Sequence, residues 1–199
     1  MRFSSLCLLL LCIGCAAGPP PQWKGVSASA EASSDYEASL ATWTRHAAHY
    51  QALEGRLFVT ATCFSPSFAM AYAQQRARRQ GLPQAETTLL QRQLVRAAEN
   101  EIRFFMAVST YNDHWNDLED PKSTLRLRLF HGDDGRFIEP LRIERISEDE
   151  LADLRLFFPY ATPLTVAYAV IFPAPATPHR LRLRVAGPPA VVDLEWEAR

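Results

Sequence analysis

The chain has 199 residues, of which 48% are hydrophobic and 22% are charged, and its formal net charge at pH 7 is −1. A near-neutral balance of this kind excludes a nucleic-acid-binding domain of the usual, strongly basic type. No internal repeat divides the chain, and its length after the N-terminal segments is ordinary for one domain.

The first residues have the pattern of a secretory signal. Arg2 supplies the positive start, residues 6–13 form an apolar run, and Gly14 supplies the small residue before a cleavage site. The run is too short for a transmembrane helix, which needs about 20 apolar residues. We therefore predict that residues 1–14 are a signal peptide.

The sequence from Cys12 to Cys15 resembles the lipobox of bacterial lipoproteins, in which a small residue precedes the cysteine that becomes the lipid-modified N-terminus. Cys12 departs from this pattern, since leucine is usual at its position. The resemblance implies that Cys15 is acylated and holds the protein on a membrane through several acyl chains. Because Ala16 rather than an aspartate follows, it also implies the outer membrane of the cell envelope. The alternatives are an ordinary cleaved signal and an uncleaved anchor.

The four cysteines do not make a disulfide set. Cys7 and Cys12 leave with the signal peptide and Cys15 takes the lipid, so that Cys63 remains alone. Cys63 lies in a strand-like run, residues 57–64, where a lone cysteine usually behaves as a small buried hydrophobic residue. The alternative is a nucleophilic thiol, which needs a basic partner that the local sequence does not supply.

Two segments follow the signal peptide. Residues 15–33 are rich in Ala, Ser, Pro and Gly, and the prolines at 19–21 favour extended geometry, so this segment is predicted to be the lipidated N-terminus and a flexible tether. Residues 34–199 are predicted to form a single folded domain. Its helical part and first strand occupy residues 34–100, and a sandwich occupies residues 101–199.

Three helices are predicted in the first part of this domain. Residues 34–37 match a capping box, and apolar residues continue at helical spacing as far as Tyr50. A second helix begins at Ser65, which is followed by a proline, and ends at Gly81. A third helix is predicted over residues 85–100.

Alternation of apolar and polar residues predicts seven strands. The strand that begins at Glu101 is apolar on both faces, which is typical of a central strand. The predicted fold class is therefore mainly β (α+β): an antiparallel, immunoglobulin-like β-sandwich of about seven strands with an N-terminal helix and a two-helix insertion. The predicted strands cover residues 56–64, 101–109, 125–129, 141–143, 164–172, 181–185 and 192–196.

The whole pattern loosely resembles bacterial lipoproteins that join a short N-terminal helical part to an immunoglobulin-like sandwich. The resemblance covers most of the mature chain and implies no activity. The Cys…Trp…Cys spacing of true immunoglobulin domains is absent.

Two histidines lie close together in the predicted first helix. His46 and His49 are three residues apart, a helical spacing that allows two imidazoles to share a metal ion. A zinc site needs three or four ligands, however, and the other histidines have no ligand-like spacing. We therefore interpret the two as exposed helix histidines and predict no metal.

Residues 112–120 form the densest polar segment, rich in Asn and Asp. Oxygen-rich loops bind calcium, but Leu118 and Thr124 occupy the positions at which an EF-hand requires Gly and Glu. A solvated connection between strands is the interpretation we favour. Trp115 within the segment leaves room for a binding surface.

Arginines alternate with apolar residues in two of the predicted strands. Arranged on one face of a sheet, they would attract an anionic lipid or glycan. Alternation along a strand produces such a charged face even without a ligand. We therefore favour a solvated sheet face whose charge protects it from edge-to-edge aggregation. The residues are Arg126, Arg128, Arg180, Arg182 and Arg184.

No enzyme motif is present, since G-x-S-x-G, a Walker loop, H-E-x-x-H and G-x-G-x-x-G are all absent. We predict no catalytic residue and no cofactor, and a lipid-anchored envelope protein that acts as a non-enzymatic interaction or accessory module. Its partners are then the membrane, through acyl chains on Cys15, and an envelope protein or glycan, but no nucleic acid. The alternative is an envelope hydrolase or glycan-modifying enzyme on a sandwich scaffold, and a third hypothesis is a purely structural envelope component.

Overall fold

The computed structural model describes residues 26–132, 135–174 and 180–197. No helix in these ranges has both the length and the hydrophobicity that crossing a bilayer requires. The helices are α1 Val26–Trp43, α2 Pro66–Gln80, α3 Gln84–Asn100, α4 Glu148–Leu154 and a 3-10 turn Asp113–Trp115. The strands are β1 Thr44–Gln51, β2 Glu54–Cys63, β3 Glu101–Thr110, β4 Arg126–His131, β5 Phe137–Ile138, β6 Arg142–Arg145, β7 Val166–Pro173, β8 Arg180–Ala186 and β9 Val191–Glu197.

The strands form two antiparallel sheets that share one core. The five-stranded sheet has the order β1-β2-β3-β7-β6, and the four-stranded sheet has the order β5-β4-β8-β9. This arrangement confirms the predicted mainly β sandwich with helices inserted between its strands. Each of the seven predicted strands is present, and the described residues add β1 and β5, which the sequence patterns do not predict.

A continuous hydrophobic core fills the space between the two sheets. Successive side chains of a strand point to opposite faces, so every second residue of β2, β3, β4 and β8 enters this core. Met106, Leu129, Leu183 and Trp196 are almost completely buried in it. Burial of one such side chain stabilises the fold by roughly 1.5–3 kcal/mol.

A second core covers the other face of the five-stranded sheet, where the helices pack. Phe105 of β3 stacks on Phe158 with ring centroids 4.1 Å apart, and Phe68 of α2 is fully buried beside them. Helix α1 is attached through Tyr36, whose hydroxyl donates a hydrogen bond to the carbonyl oxygen of Phe157 at 2.9 Å. The predicted central strand thus has apolar residues on both faces because both faces are covered.

The first helix ends earlier than the sequence predicts. α1 stops at Trp43 and the following residues form β1, so the prediction of a helix as far as Tyr50 is wrong. All of β1 pairs with β2, and this ladder provides hydrogen bonds for the backbone groups of β1 that face β2. At its other end α1 begins at Val26, so residues 26–33, predicted as tether, are helical.

The ends of α2 agree with the sequence signals. The Ser65 hydroxyl accepts a hydrogen bond from the backbone N–H of Phe68 at 3.1 Å, as expected of an N-cap. Gly81 ends the helix in the left-handed conformation, with φ of 63°. Helix α3 follows, and no side chain in it is fully buried, so it forms the outermost part of the helical layer.

Candidate functional site

Cys15 and the predicted signal peptide lie outside the described residues, as does the tether up to residue 25. The lipidation of Cys15 therefore stays a prediction from the sequence. Cys63, the histidines of β1, the polar segment 112–120 and the arginines of β4 and β8 all lie within the described ranges.

Cys63, the last residue of β2, is buried in the sandwich core with 4% of its surface exposed. This burial raises the pKa of the thiol to about 12, and the nearby charge of Arg45 opposes the shift only in part. A thiol with this pKa holds almost no thiolate at neutral pH, and the thiolate is the nucleophilic form. The environment supports the interpretation of Cys63 as a small buried hydrophobic residue.

His46 and His49 lie on a strand and not on a helix. Residues three apart on a strand point to opposite faces, so the two imidazoles do not share a ligand position. The Nδ1 atom of His46 lies 2.9 Å from the Thr60 hydroxyl on the neighbouring strand. Within the described ranges, no group of three or more His, Cys, Asp and Glu side chains is placed to hold a metal ion.

The polar segment 112–120 is more than a solvated connection, because part of it is built into the sandwich core. Asn116 is buried and donates a hydrogen bond from Nδ2 to the carbonyl oxygen of Val108 at 2.9 Å. The Tyr168 hydroxyl donates to the carbonyl oxygen of Asn116 at 2.8 Å. Leu118 is buried as well, so the segment is held on the sheet at two points.

The five arginines predicted from strand alternation share the outer face of the four-stranded sheet. β4 and β8 are neighbours, with Arg128 opposite Arg184 and Phe130 opposite Arg182. The apolar residues between them point into the sandwich core. We call this set the arginine stripe, and its members are Arg126, Arg128, Arg180, Arg182 and Arg184.

Two phenylalanine rings lie beneath the arginine stripe. The guanidinium carbon of Arg128 is 4.5 Å from the centroid of the Phe137 ring, and that of Arg182 is 4.7 Å from the centroid of Phe130. Arg184 also lies over Phe130, at 5.2 Å. A cation over an aromatic face is attracted by the ring quadrupole, so these contacts hold the guanidinium groups in place.

β9 brings carboxylates to one side of the arginine stripe. Arg184 donates two hydrogen bonds to the two carboxylate oxygens of Asp193, at 2.8 and 2.7 Å. These hydrogen bonds hold the pKa of the Asp193 carboxyl below its usual value. Arg180 forms an ion pair with Glu195.

The other members of the stripe are less compensated, although Arg182 lies opposite Glu195 in the β8–β9 ladder and its charge acts on Asp193. Among the described residues, no carboxylate lies within ion-pair distance of Arg126, Arg128 or Arg182. The Nε atom of Arg182 is buried and has no hydrogen-bond acceptor in the same ranges. The stripe therefore presents positive charge that is fixed in position and only partly compensated.

A second surface, rich in exposed aromatic side chains, lies at the end of the β1–β2 hairpin. Leu53 at its tip is 100% exposed, and Tyr50 forms an edge-to-face pair with Phe58 at a centroid distance of 5.3 Å. Tyr111, at the end of β3, forms a similar pair with Trp115 at 5.1 Å. We call these five residues the hairpin-end patch.

Arg56 of β2 lies against the second aromatic pair of this patch. A β-bulge at Arg56, opposite His49 and Tyr50, interrupts the regular alternation of β2. The guanidinium carbon of Arg56 lies 4.4 Å from the centroid of Tyr111. Gly55 leaves room for the Phe58 ring, because a Cβ atom at that position would come within 2.2 Å of it. The second pair is tied to β2 by the backbone N–H of Tyr111, which donates a hydrogen bond to the carbonyl oxygen of Arg56 at 3.3 Å.

A cleft of about 670 Å³ lies between α2, α4 and β6. Tyr72, Arg76, Asp153 and Phe157 line it, and Glu150 is tied to the N-terminus of α4 by a capping box with Ser147. None of the described residues that line it is a histidine, serine or cysteine. The cleft therefore lacks the usual pairing of a nucleophile with a basic imidazole.

The hairpin-end patch is the surface that the sequence reasoning missed. Its members are far apart in the chain, and the helix predicted over residues 34–50 covers the residues that form β1, so the β1–β2 hairpin is not predicted. Trp115 in a polar segment was the one signal that pointed to it. No family model matches the chain, and no curated protein and no solved structure matches it either.

Proposed function

We propose that this protein is a lipid-anchored component of the cell envelope and that its sandwich is a non-enzymatic interaction module. Acyl chains on Cys15 would hold it on the membrane, in the way that the lipobox implies. The folded part beyond Val26 would then act by binding an envelope protein or a glycan.

The observation that carries the binding function is the hairpin-end patch. Exposed hydrophobic side chains that cluster on a folded domain mark an interaction site more often than single, scattered ones do. Tyr111, Trp115 and Arg56 are of the residue types that carry most binding energy at interfaces. An open surface of this kind suits recognition of a partner.

The anchor is tested with Cys15→Ser in cells that express the full chain. We expect this variant to lose its acyl group and to leave the membrane fraction, as followed by labelling with an alkyne fatty acid and by fractionation. Cys12→Leu is the matched control, because it restores the residue usual at that lipobox position and should remain acylated. Acyl label retained by Cys15→Ser would contradict the proposed anchor.

The binding surface is tested by placing a photo-crosslinking phenylalanine analogue at Tyr111 in the full chain in cells. Leu89 on α3 is the matched control position, because its side chain is 67% exposed and lies outside the patch. We expect a discrete crosslinked product at Tyr111 and none at Leu89. Crosslinking at both positions alike, or at neither, would contradict the assignment of binding to the patch.

A further inference from the structure

The arginine stripe is a surface separate from the hairpin-end patch. It lies on the outer face of the four-stranded sheet, whereas the residues of the hairpin-end patch belong to β1 and β2 of the five-stranded sheet, to the turn between them and to the segment after β3. The two surfaces therefore belong to different sheets and share no residue. A ligand of the stripe need not be the partner that the patch binds.

The stripe is long and narrow, and its positive charge is concentrated on β4 and β8. Alternate residues of a strand are about 6.7 Å apart, so Arg180, Arg182 and Arg184 on β8 span roughly 13 Å. The arginines of β4 lie beside them. On the other side of β8, β9 presents the carboxylates of Asp193, Glu195 and Glu197, with Val191 at the end of the row.

This arrangement favours a narrow anionic chain over a flat anionic surface. A bilayer rich in anionic lipid would contact the carboxylates of β9 as well as the arginines, and the like charges would repel. A linear polyanion can follow β4 and β8 and leave β9 at its edge. Two shallow clefts, of about 160 and 310 Å³, lie at the end of the stripe and share Arg180 and Glu195, so the surface there is recessed.

The chemistry of the stripe favours a glycan over a nucleic acid. Single-stranded nucleic acid is usually held by bases that stack on open aromatic faces. Here guanidinium groups lie over one face each of the Phe130 and Phe137 rings, which leaves less aromatic surface for stacking. A sugar chain supplies hydroxyl groups as well as anions, and those hydroxyls can donate hydrogen bonds to carboxylates such as Glu195.

We propose that the arginine stripe binds an anionic polysaccharide that lies along β4 and β8. The guanidinium groups of Arg126, Arg128 and Arg182 pair with the acidic groups of its sugars, since a planar guanidinium matches a carboxylate or phosphate with two parallel hydrogen bonds. Stacking on the rings fixes Arg128 and Arg182 before the ligand arrives. The ligand then loses less binding free energy to ordering of these side chains.

The proposal is tested by titrating the full-length mature protein in detergent with alginate oligosaccharides in a calorimeter, with neutral dextran as the control ligand. Arg128→Gln combined with Arg182→Gln should weaken alginate binding by at least about tenfold. Arg126→Gln, which disturbs no ring contact, should weaken it as well. The matched control is Arg92→Gln with Arg96→Gln on α3, which removes the same charge from exposed positions and should leave the affinity unchanged.

Three results would overturn this inference. The first is absence of alginate binding by the wild-type protein, and the second is an equal loss in the α3 control, which would mean that net charge alone decides. The third is binding of phosphatidylglycerol vesicles or of a single-stranded oligonucleotide, with the same arginine dependence, in place of alginate. Thermal melting of each variant shows that it is folded. None of these results depends on Cys15 or on the hairpin-end patch, so failure here leaves the proposed function intact.

Discussion

Cys63 shows how burial decides the chemistry of a single residue. Its pKa is raised to about 12 in the folded chain, whereas a thiol in an unfolded chain has a pKa of about 8.5. At pH 8 the unfolded chain therefore presents a substantial fraction of thiolate, and the native chain presents almost none. We expect iodoacetamide to alkylate Cys63 only after denaturation, as measured by mass spectrometry of the peptide that contains it.

The difference between the two pKa values also makes the stability of the folded chain depend on pH. Between about pH 8.5 and pH 12 only the unfolded chain releases the thiol proton, so Cys63 stays protected in the native chain. Over the same range the contribution of this thiol to the free energy of unfolding falls as the pH rises. A denatured sample alkylated at the same pH is the control. Alkylation of the native protein at the rate of the denatured one would show that the thiol is accessible.

At the scale of elements, the sequence predicts a helix or strand correctly where residues at its own ends determine where it starts and stops. Ser65 caps α2 through its own hydroxyl, and Gly81 adopts a conformation that few other residues tolerate, so both ends can be predicted from sequence. β1 is different, because it is a largely exposed strand and has little apolar alternation. Its apolar residues happen to fit a helical spacing, and only the pairing with β2 decides its structure.

The same distinction explains what could be predicted of the binding surfaces. Alternation along a strand predicts that Arg126 and Arg128 share a face, and likewise Arg180, Arg182 and Arg184. That the two sets are neighbours depends on the pairing of β4 with β8, which are remote in the chain, and periodicity carries no information about pairing. The hairpin-end patch requires both the β1–β2 hairpin and the position of Tyr111, so it could not be assembled from local patterns.

On the scale of the whole molecule, the five-stranded sheet belongs to two cores at once. Its inner face packs against the four-stranded sheet, and its outer face packs against the helices and Phe158. Trp196 of β9 donates a hydrogen bond from Nε1 to the carbonyl oxygen of Trp43, the last residue of α1, at 2.8 Å. The helical layer and the sandwich are thus connected through shared strands and through the end of α1, which leads us to expect that they unfold together.

Phe158→Ala tests this cooperativity, because it removes a ring that stacks on Phe105 in the helical core and leaves the sandwich core untouched. We expect a loss of about 3–5 kcal/mol in the free energy of unfolding, with a smaller loss in Phe158→Leu. Helical circular dichroism and the fluorescence of Trp196, which is buried between the sheets, should shift to the same lower denaturant midpoint, measured with Trp23, Trp43 and Trp115 replaced by phenylalanine so that Trp196 alone fluoresces. Leu156→Ala is the matched control, since its side chain is 55% exposed and the change should be within about 0.5 kcal/mol. If the circular dichroism midpoint falls while the tryptophan midpoint stays, the helical layer unfolds separately and the shared sheet does not couple the two cores.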